Sequence, residues 1–471
     1  MEIKNLLRNQ VHCDIHAGLK ALLVTLLAGT GFSPSKAQVN VFDTYKSGNS
    51  TYYYRIPAIA KDADGHLLAF ADYRNTSNSD IGSNHGISVY VKTSDDDGKT
   101  WGSQVLVAMG DGNKSGFTDS HGDPAVVIDR ETDKIMMCCA SGTVGFLNST
   151  KSNPIRMGRY YSEDGGQTWT ETDITSDVYG VFSSQTAVTG LFFSSGRICQ
   201  SSRIKVGSHY RIYSAVDGPA NVGCLVVYSD DFGQTWNALG GPSARPTVSP
   251  YGDESKIEEL PDGNVLLYCR SKQNNTNGRL FNIYTYTDQQ TGAGSWGTMA
   301  ISNNSTSGTY SYNNACNGEI LIVPVTRLSD NKEMYLALAS CCYGSGRANV
   351  SIYYKPLSEA TDYDAPSDFS TGWTRYPVST TYSCYSTMTL DKNGDVAFLY
   401  EDMNDNGVST TYDILFKTFP VTTLTANTYQ YRGESPEEPE EDVWGDVNGD
   451  GKVTIADVTT LVDYILGKLE R

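Results

Sequence analysis

The chain of 471 residues sets 36 Lys and Arg against 54 Asp and Glu, a net charge of −18, with 39% hydrophobic and 19% charged residues. That much apolar material supports a large folded core and excludes a disordered tail or a multi-span membrane protein. The acidity argues against nucleic acid, whose binders show a basic footprint, and eight of the net negative charges lie in residues 433–471.

At the N-terminus, Lys4 and Arg8 precede an apolar stretch from Leu19 to Ala28, and the small-residue site Ser35-Lys36-Ala37 follows before Gln38. The pattern predicts a secretory signal peptide over residues 1–37 and a secreted or periplasmic protein. The apolar run is too short to span a bilayer, and no later stretch approaches the ~20 residues that a span needs.

Beyond the leader, Tyr outnumbers Phe 31 to 14, and 45 Gly accompany runs of Ser, Thr and Asn. This is the usage of many short strands joined by tight turns, so an all-β fold is expected. The segments Ser94–Trp101, Ser162–Trp169 and Ser229–Trp236 share the pattern S-x-D-x-G-x-x-W, the first Ser recurring after 68 and then 67 residues. Each copy follows an alternating strand and so falls on a hairpin turn. There the Asp accepts turn N–H groups, the Gly supplies a positive φ and the Trp anchors the turn on the next strand. A degenerate fourth copy runs from Thr287 to Trp296. At about 67 residues per unit, residues 38–432 divide into six blades of four strands, within the 4–8 typical of β-propellers.

Of ten Cys, Cys138-Cys139 and Cys341-Cys342 are adjacent pairs in apolar, strand-like runs. Neighbouring side chains on a strand point to opposite faces, so these read as buried small hydrophobes. Without a C-x-x-C or a His cluster at metal spacing, no zinc site is predicted.

The segment Tyr54-Arg55-Ile56-Pro57 opens the first blade, with Arg74 and Asp80 following in order. Together with the three S-x-D-x-G-x-x-W turns and the later Arg270 and Arg347, it resembles a bacterial exo-α-sialidase (neuraminidase) with Asp-box repeats, over roughly residues 40–420. The resemblance implies a substrate of terminal sialic acid on glycans, hydrolysed with retention and without a catalytic cofactor. A sialoside carries a carboxylate on its anomeric carbon, and Arg binds carboxylate bidentately while always charged. The family pattern assigns this anion to Arg55, Arg270 and Arg347, and the nucleophile to Tyr385, with Glu254 as its base. A neutral phenol avoids the repulsion a carboxylate nucleophile would meet beside that anion. Tyr382 offers a second Tyr-Ser, and Glu258 and Glu259 compete with Glu254; the family register favours Tyr385 and Glu254. Asp80 is implied as general acid and then base, Glu401 as the carboxylate that holds Arg55, and Arg74 and Asp123 as residues around the ring substituents. A trans-sialidase would share all of these residues, whereas a catalytically silent sialoside-binding propeller would not need Tyr385, Glu254 and Asp80 together.

The Pro-rich acidic stretch 433–442 predicts an extended linker. After it, Asp446, Asn448 and Asp450 alternate, with Gly451 at position six and Asp457 at position twelve, as in an EF-hand-like Ca²⁺ loop. Ile455, Val458, Leu461, Val462 and Ile465 mark one face of a short helix that stops at Gly467. Residues 443–471 resemble one half of a dockerin, which implies calcium and a cohesin-like partner, although the usual module has two such repeats.

Overall fold

The computed structural model describes residues 38–433 apart from 84–85, 274–275, 315 and 404–410. The expected signal peptide and the calcium-loop residues Asp446, Asn448, Asp450 and Asp457 lie outside the described residues. The described chain folds into six sheets, the blades of a β-propeller. Their inner strands are Ser50–Lys61 in blade I, His121–Ile128 in II, Cys199–Val206 in III, Gly252–Glu259 in IV, Ile320–Arg327 in V and Ser383–Leu390 in VI. Blade VI takes its outer strand, Val39–Phe42, from the other end of the chain, paired antiparallel with Tyr412–Phe419. No helix among the described residues is long and apolar enough to cross a membrane.

Strands with both faces buried should be apolar throughout, and the seams between blades use that property. One hydrophobic cluster fills each gap between neighbouring blades, from the I–II seam around Phe70 and Val126 to the VI–I seam around Ile59 and Phe416. The adjacent cysteines divide between seams as strand alternation requires. Cys138 enters the II–III cluster and Cys139 the I–II cluster, while Cys341 and Cys342 face seams IV–V and V–VI.

The repeated turns join the third and fourth strands of blades I, II and III. Asp96 accepts from the Thr100 backbone N–H at 2.8 Å, the Thr100 hydroxyl at 2.7 Å and the Ser94 hydroxyl at 2.9 Å. Asp164 and Asp231 repeat the arrangement. Donors from Thr100 and Thr168 hold the Asp96 and Asp164 carboxyls down at about 2. Two of the three tryptophans differ from expectation in what they anchor to, whereas Trp236 meets Phe193 of its own blade III at 5.3 Å. Instead of staying on their own blade, Trp101 meets Phe416 of blade VI edge-on at 5.3 Å and Trp169 meets Phe70 of blade I at 6.0 Å. The outer hairpin of one blade overhangs the preceding blade, so the turn staples two blades together.

Four inner strands share one irregularity. In blade I the three steps from Arg55 to Ala58 face only two on the partner strand, from Asp72 to Phe70. The same shift occurs between Gly122 and Ala125 in blade II, Gly252 and Ser255 in blade IV, and Ser383 and Ser386 in blade VI. Such one-residue bulges bend a strand and re-aim its side chains.

The staple is testable at its glycines. At Gly98, with φ of 77°, a methyl group would lie 2.0 Å from the Phe416 ring, whereas at Gly165, with φ of 69°, nothing lies within 4 Å. Gly165→Ala should cost about 1–2 kcal/mol from left-handed backbone strain alone. Gly98→Ala should cost roughly 1–3 kcal/mol more from overpacking, measured by urea unfolding.

Candidate active site

The bulges bring the sequence-predicted residues to one place. Arg55 begins the blade I bulge, and its guanidinium donates to Glu401 through Nε at 2.7 Å and Nη2 at 3.3 Å. Glu401, fully buried on the second strand of blade VI, also accepts from the backbone N–H of Ile56 at 2.9 Å and of Tyr385 at 3.3 Å. One carboxylate therefore fixes both an arginine and the backbone of the tyrosine strand.

Tyr385 lies within the blade VI bulge and Glu254 within that of blade IV. The Tyr385 hydroxyl donates to Glu254 Oε1 at 2.6 Å, while Arg270 Nη1 donates to Glu254 Oε2 at 2.8 Å. Burial first, and then the Glu254 charge, push the Tyr385 hydroxyl well above its ordinary range, with Arg270 and Arg347 pulling the other way. The proton thus rests on the phenol, with an acceptor in hydrogen-bond contact. Arg347 occupies the turn between the second and third strands of blade V at φ of 62°. Its guanidinium lies 5.7 Å from the Tyr385 ring centroid, and that of Arg55 lies 5.8 Å from the same ring.

The competing residues point elsewhere. Glu258 pairs with Arg197, Glu259 accepts from the Ser202 backbone N–H at 2.7 Å, and Tyr382 is 59% exposed. Only Glu254 reaches a tyrosine hydroxyl of the site.

Arg74 joins two carboxylates. It donates to the buried Asp72 at 2.9 Å and to Asp80, in the following loop, at 2.6 Å. The Asp80 side chain is exposed; the protein walls around it oppose its charge by desolvation, but Arg74, with Arg55 and Arg347 behind it, holds that carboxyl below its usual range. Burial raises Asp72 to about 6 despite Arg74, and burial together with the Asp72 charge pushes Asp123 well above the carboxylate range. Asp123, in the blade II bulge at φ of 59°, donates its backbone N–H to Asp72 at 2.9 Å. Asn78 links the two halves, accepting from Arg55 at 3.2 Å through its side chain and from Arg74 at 3.1 Å through its carbonyl.

Sequence reasoning missed Asp72, Asn78, Asp253 and Tyr412. Asp253 lies 3.4 Å from Arg270, and the Tyr412 ring lies 5.2 Å beneath Arg55. Asp72 had a usable signal: two residues before Arg74 on a strand, it shares that residue's face. The arrangement presents a phenol with an adjacent base, an exposed carboxyl and several guanidiniums. Among the described residues no acceptor is in hydrogen-bond contact with the Arg347 guanidinium.

Residues 65–397 match the BNR repeat-like domain. The sialidase of Micromonospora viridifaciens is 29% identical over 367 residues, covering 74% of this chain and 50% of that protein. The sialidase of Paraclostridium sordellii is 25% identical over 244 residues, covering 50% of this chain and 57% of that protein. The chain thus spans about half the length of the curated relatives it matches. Among solved structures, a Hadza microbial sialidase superimposes with a TM-score of 0.59 at 22% identity, over 79% of this chain and 66% of that one. The intramolecular trans-sialidase from Ruminococcus gnavus gives 0.61 at 16% identity, over 81% and 98%. Both share the fold.

Removing the shared carboxylate leaves Arg55 buried without its partner. Glu401→Ala should lower stability by about 3–5 kcal/mol. Asp80→Ala, at a side chain 87% exposed, should change it by less than about 1 kcal/mol. Chemical denaturation of the two variants measures the contrast.

Proposed function

The chain belongs to the bacterial sialidase family of BNR repeat-like propellers, and on that premise we propose that it is an exo-α-sialidase hydrolysing terminal sialic acids on glycoproteins, glycolipids and oligosaccharides with retention. The observation that carries this reading is the 2.6 Å hydrogen bond from Tyr385 to Glu254, beside guanidiniums suited to an anion. The leader pattern of residues 1–37 supports a secreted or periplasmic enzyme.

The substrate carboxylate docks against Arg55, Arg270 and Arg347, which turns the anomeric carbon toward Tyr385. Glu254 takes the phenolic proton as the oxygen attacks, and Asp80 protonates the departing glycosidic oxygen. The resulting glycosyl-tyrosine is then cleaved by water, with Asp80 accepting the water's proton and Glu254 returning a proton to the phenolate. Carboxylate and phenol divide the work on grounds of charge: the nucleophile approaches a carbon that already bears an anion, so it starts neutral.

The Arg74 pair sets a condition on Asp80. In the free protein it favours the ionised form, whereas a general acid must enter the reaction protonated. A bound substrate anion offsets the guanidinium charges and raises the Asp80 pKa. The high-pH limb due to Asp80 should therefore lie at higher pH in kcat than in kcat/KM, the former reporting the complex and the latter the free enzyme. Coincident limbs would contradict this coupling.

The activity itself is tested with a sialylated glycan or a fluorogenic sialoside. Release of free sialic acid as the α-anomer is expected, and Tyr385→Phe should lower kcat by roughly 10⁴-fold or more. A folded protein that releases none across mildly acidic to neutral pH overturns the reading. Arg347→Ala should cost about 1.5–3 kcal/mol of kcat/KM on the charged substrate, the worth of one charge-assisted hydrogen bond, and less on an uncharged analogue. Equal losses on the two would count against carboxylate binding by Arg347.

A further inference from the structure

Behind Tyr385 lies a cluster that the proposed hydrolysis does not use. Cys316 precedes the inner strand of blade V, Cys342 lies on the second strand of that blade, and Cys384 adjoins Tyr385 in the blade VI bulge. The Sγ atoms all lie within 4.8 Å of one another, and all three residues are fully buried. The Cys316 and Cys342 sulfurs are 2.8 Å apart, closer than two unbonded thiols settle.

An independent feature lies alongside. Arg279, on the third strand of blade IV, is fully buried, and its Nε and Nη1 have no hydrogen-bond partner among the described residues. Its remaining nitrogen, Nη2, makes a 3.5 Å contact to the carbonyl of Asn317, the neighbour of Cys316, and the guanidinium lies 5.4 Å from the Tyr268 ring centroid with the Cys341 thiol within reach. A buried guanidinium without a counter-charge is costly, by several kcal/mol. Neutral thiols do nothing to offset it, whereas thiolates do.

We propose that Cys316, Cys342 and Cys384 form a binding site for a thiophilic divalent cation of the Zn²⁺ class, with Arg279 balancing its charge. Thiolate sulfur is the ligand that such cations select, at about 2.3 Å from zinc. Three sulfurs at that distance from one ion stand about 3.8 Å apart in a tetrahedral arrangement, which follows from the same bond length. Opening the Cys316–Cys342 contact by about one ångström brings that pair to this spacing, and all three sulfurs already lie within 4.8 Å of one another. On binding, three S–H bonds break, three S–metal bonds form and the protons leave to solvent, with no change of oxidation state. Three thiolates around a divalent ion carry one net negative charge, which the guanidiniums of Arg279 and Arg347, both acting on Cys316, offset. The bound ion would brace the bulge that holds Tyr385.

The test is titration of the full chain, kept under a phosphine reductant, with Cd²⁺ as the optical probe and Zn²⁺ in competition. One equivalent should bind and produce a thiolate-to-metal charge-transfer band, with Zn²⁺ displacing Cd²⁺ and raising the melting temperature. Cys316→Ser or Cys342→Ser should weaken binding by about tenfold or more, while Cys138→Ser should leave it unchanged. Because a serine variant can fail to fold, the wild-type protein supplies a second readout. Bound Zn²⁺ should shield Cys316, Cys342 and Cys384 from alkylation during partial unfolding, as located by peptide mass mapping. Absence of the band, equal binding by all variants, or protection of other cysteines instead would overturn the proposal. A Cys316–Cys342 disulfide in the protein isolated without reductant, persisting as the native state, would overturn it as well.

Discussion

The face that carries Tyr385 depends on a single buried carboxylate. Glu401 accepts two hydrogen bonds from Arg55 and one each from the backbones of Ile56 and Tyr385, so blades I and VI are locked together at the site. The Ile56 bond also bears on backbone strain. A β-branched residue at φ of 55° is an outlier that costs of order 1–3 kcal/mol and persists only where its surroundings over-determine it. Glu401 provides that constraint, and the strained peptide in turn aims Arg55 toward the tyrosine. Ion pair, bulge and Tyr385 form one mechanical unit, which is why a fully buried carboxylate is as much a part of the site as the residues at its mouth.

Much of this was legible in the sequence, for identifiable reasons. The turn repeat fixed the blade length because its Asp, Gly and Trp each serve a local backbone need, and local needs leave spacing patterns. Arg55, Glu254, Tyr385 and Glu401 stood out through a family register, and the contacts separate Glu254 from Glu258 and Glu259, and Tyr385 from Tyr382. The bulges were not legible. A bulge differs from a regular strand by one residue against a partner, and that partner is known only once the sheet is paired. The tryptophan contacts across blades and the Cys316, Cys342 and Cys384 cluster were hidden similarly, since each joins residues whose proximity is a product of the closed ring.

Charge follows the same division between local and global. The chain as a whole is strongly acidic, yet Arg55, Arg74, Arg270 and Arg347 converge on the face that carries Tyr385. Most of these cations are already engaged by Glu401, Asp72, Asp80, Asp253 and Glu254. Such pairing pre-orients the guanidiniums while moderating their field. The surrounding protein then governs how fast an anion approaches, and the pocket governs whether it stays.

The way the ring closes reaches back to how the molecule is made. Blade VI, which carries Tyr385 and Glu401, takes its outer strand from Val39–Phe42, among the earliest parts of the propeller to be synthesised. That strand waits without a partner until the last blade emerges, and every unfinished chain bears both a bare sheet edge and an incomplete site. An unpaired edge invites association with other chains. Partial products therefore lack the completed Tyr385 site and stay exposed to chaperones and proteases, and completion of the last blade satisfies the edge and assembles that site in the same event.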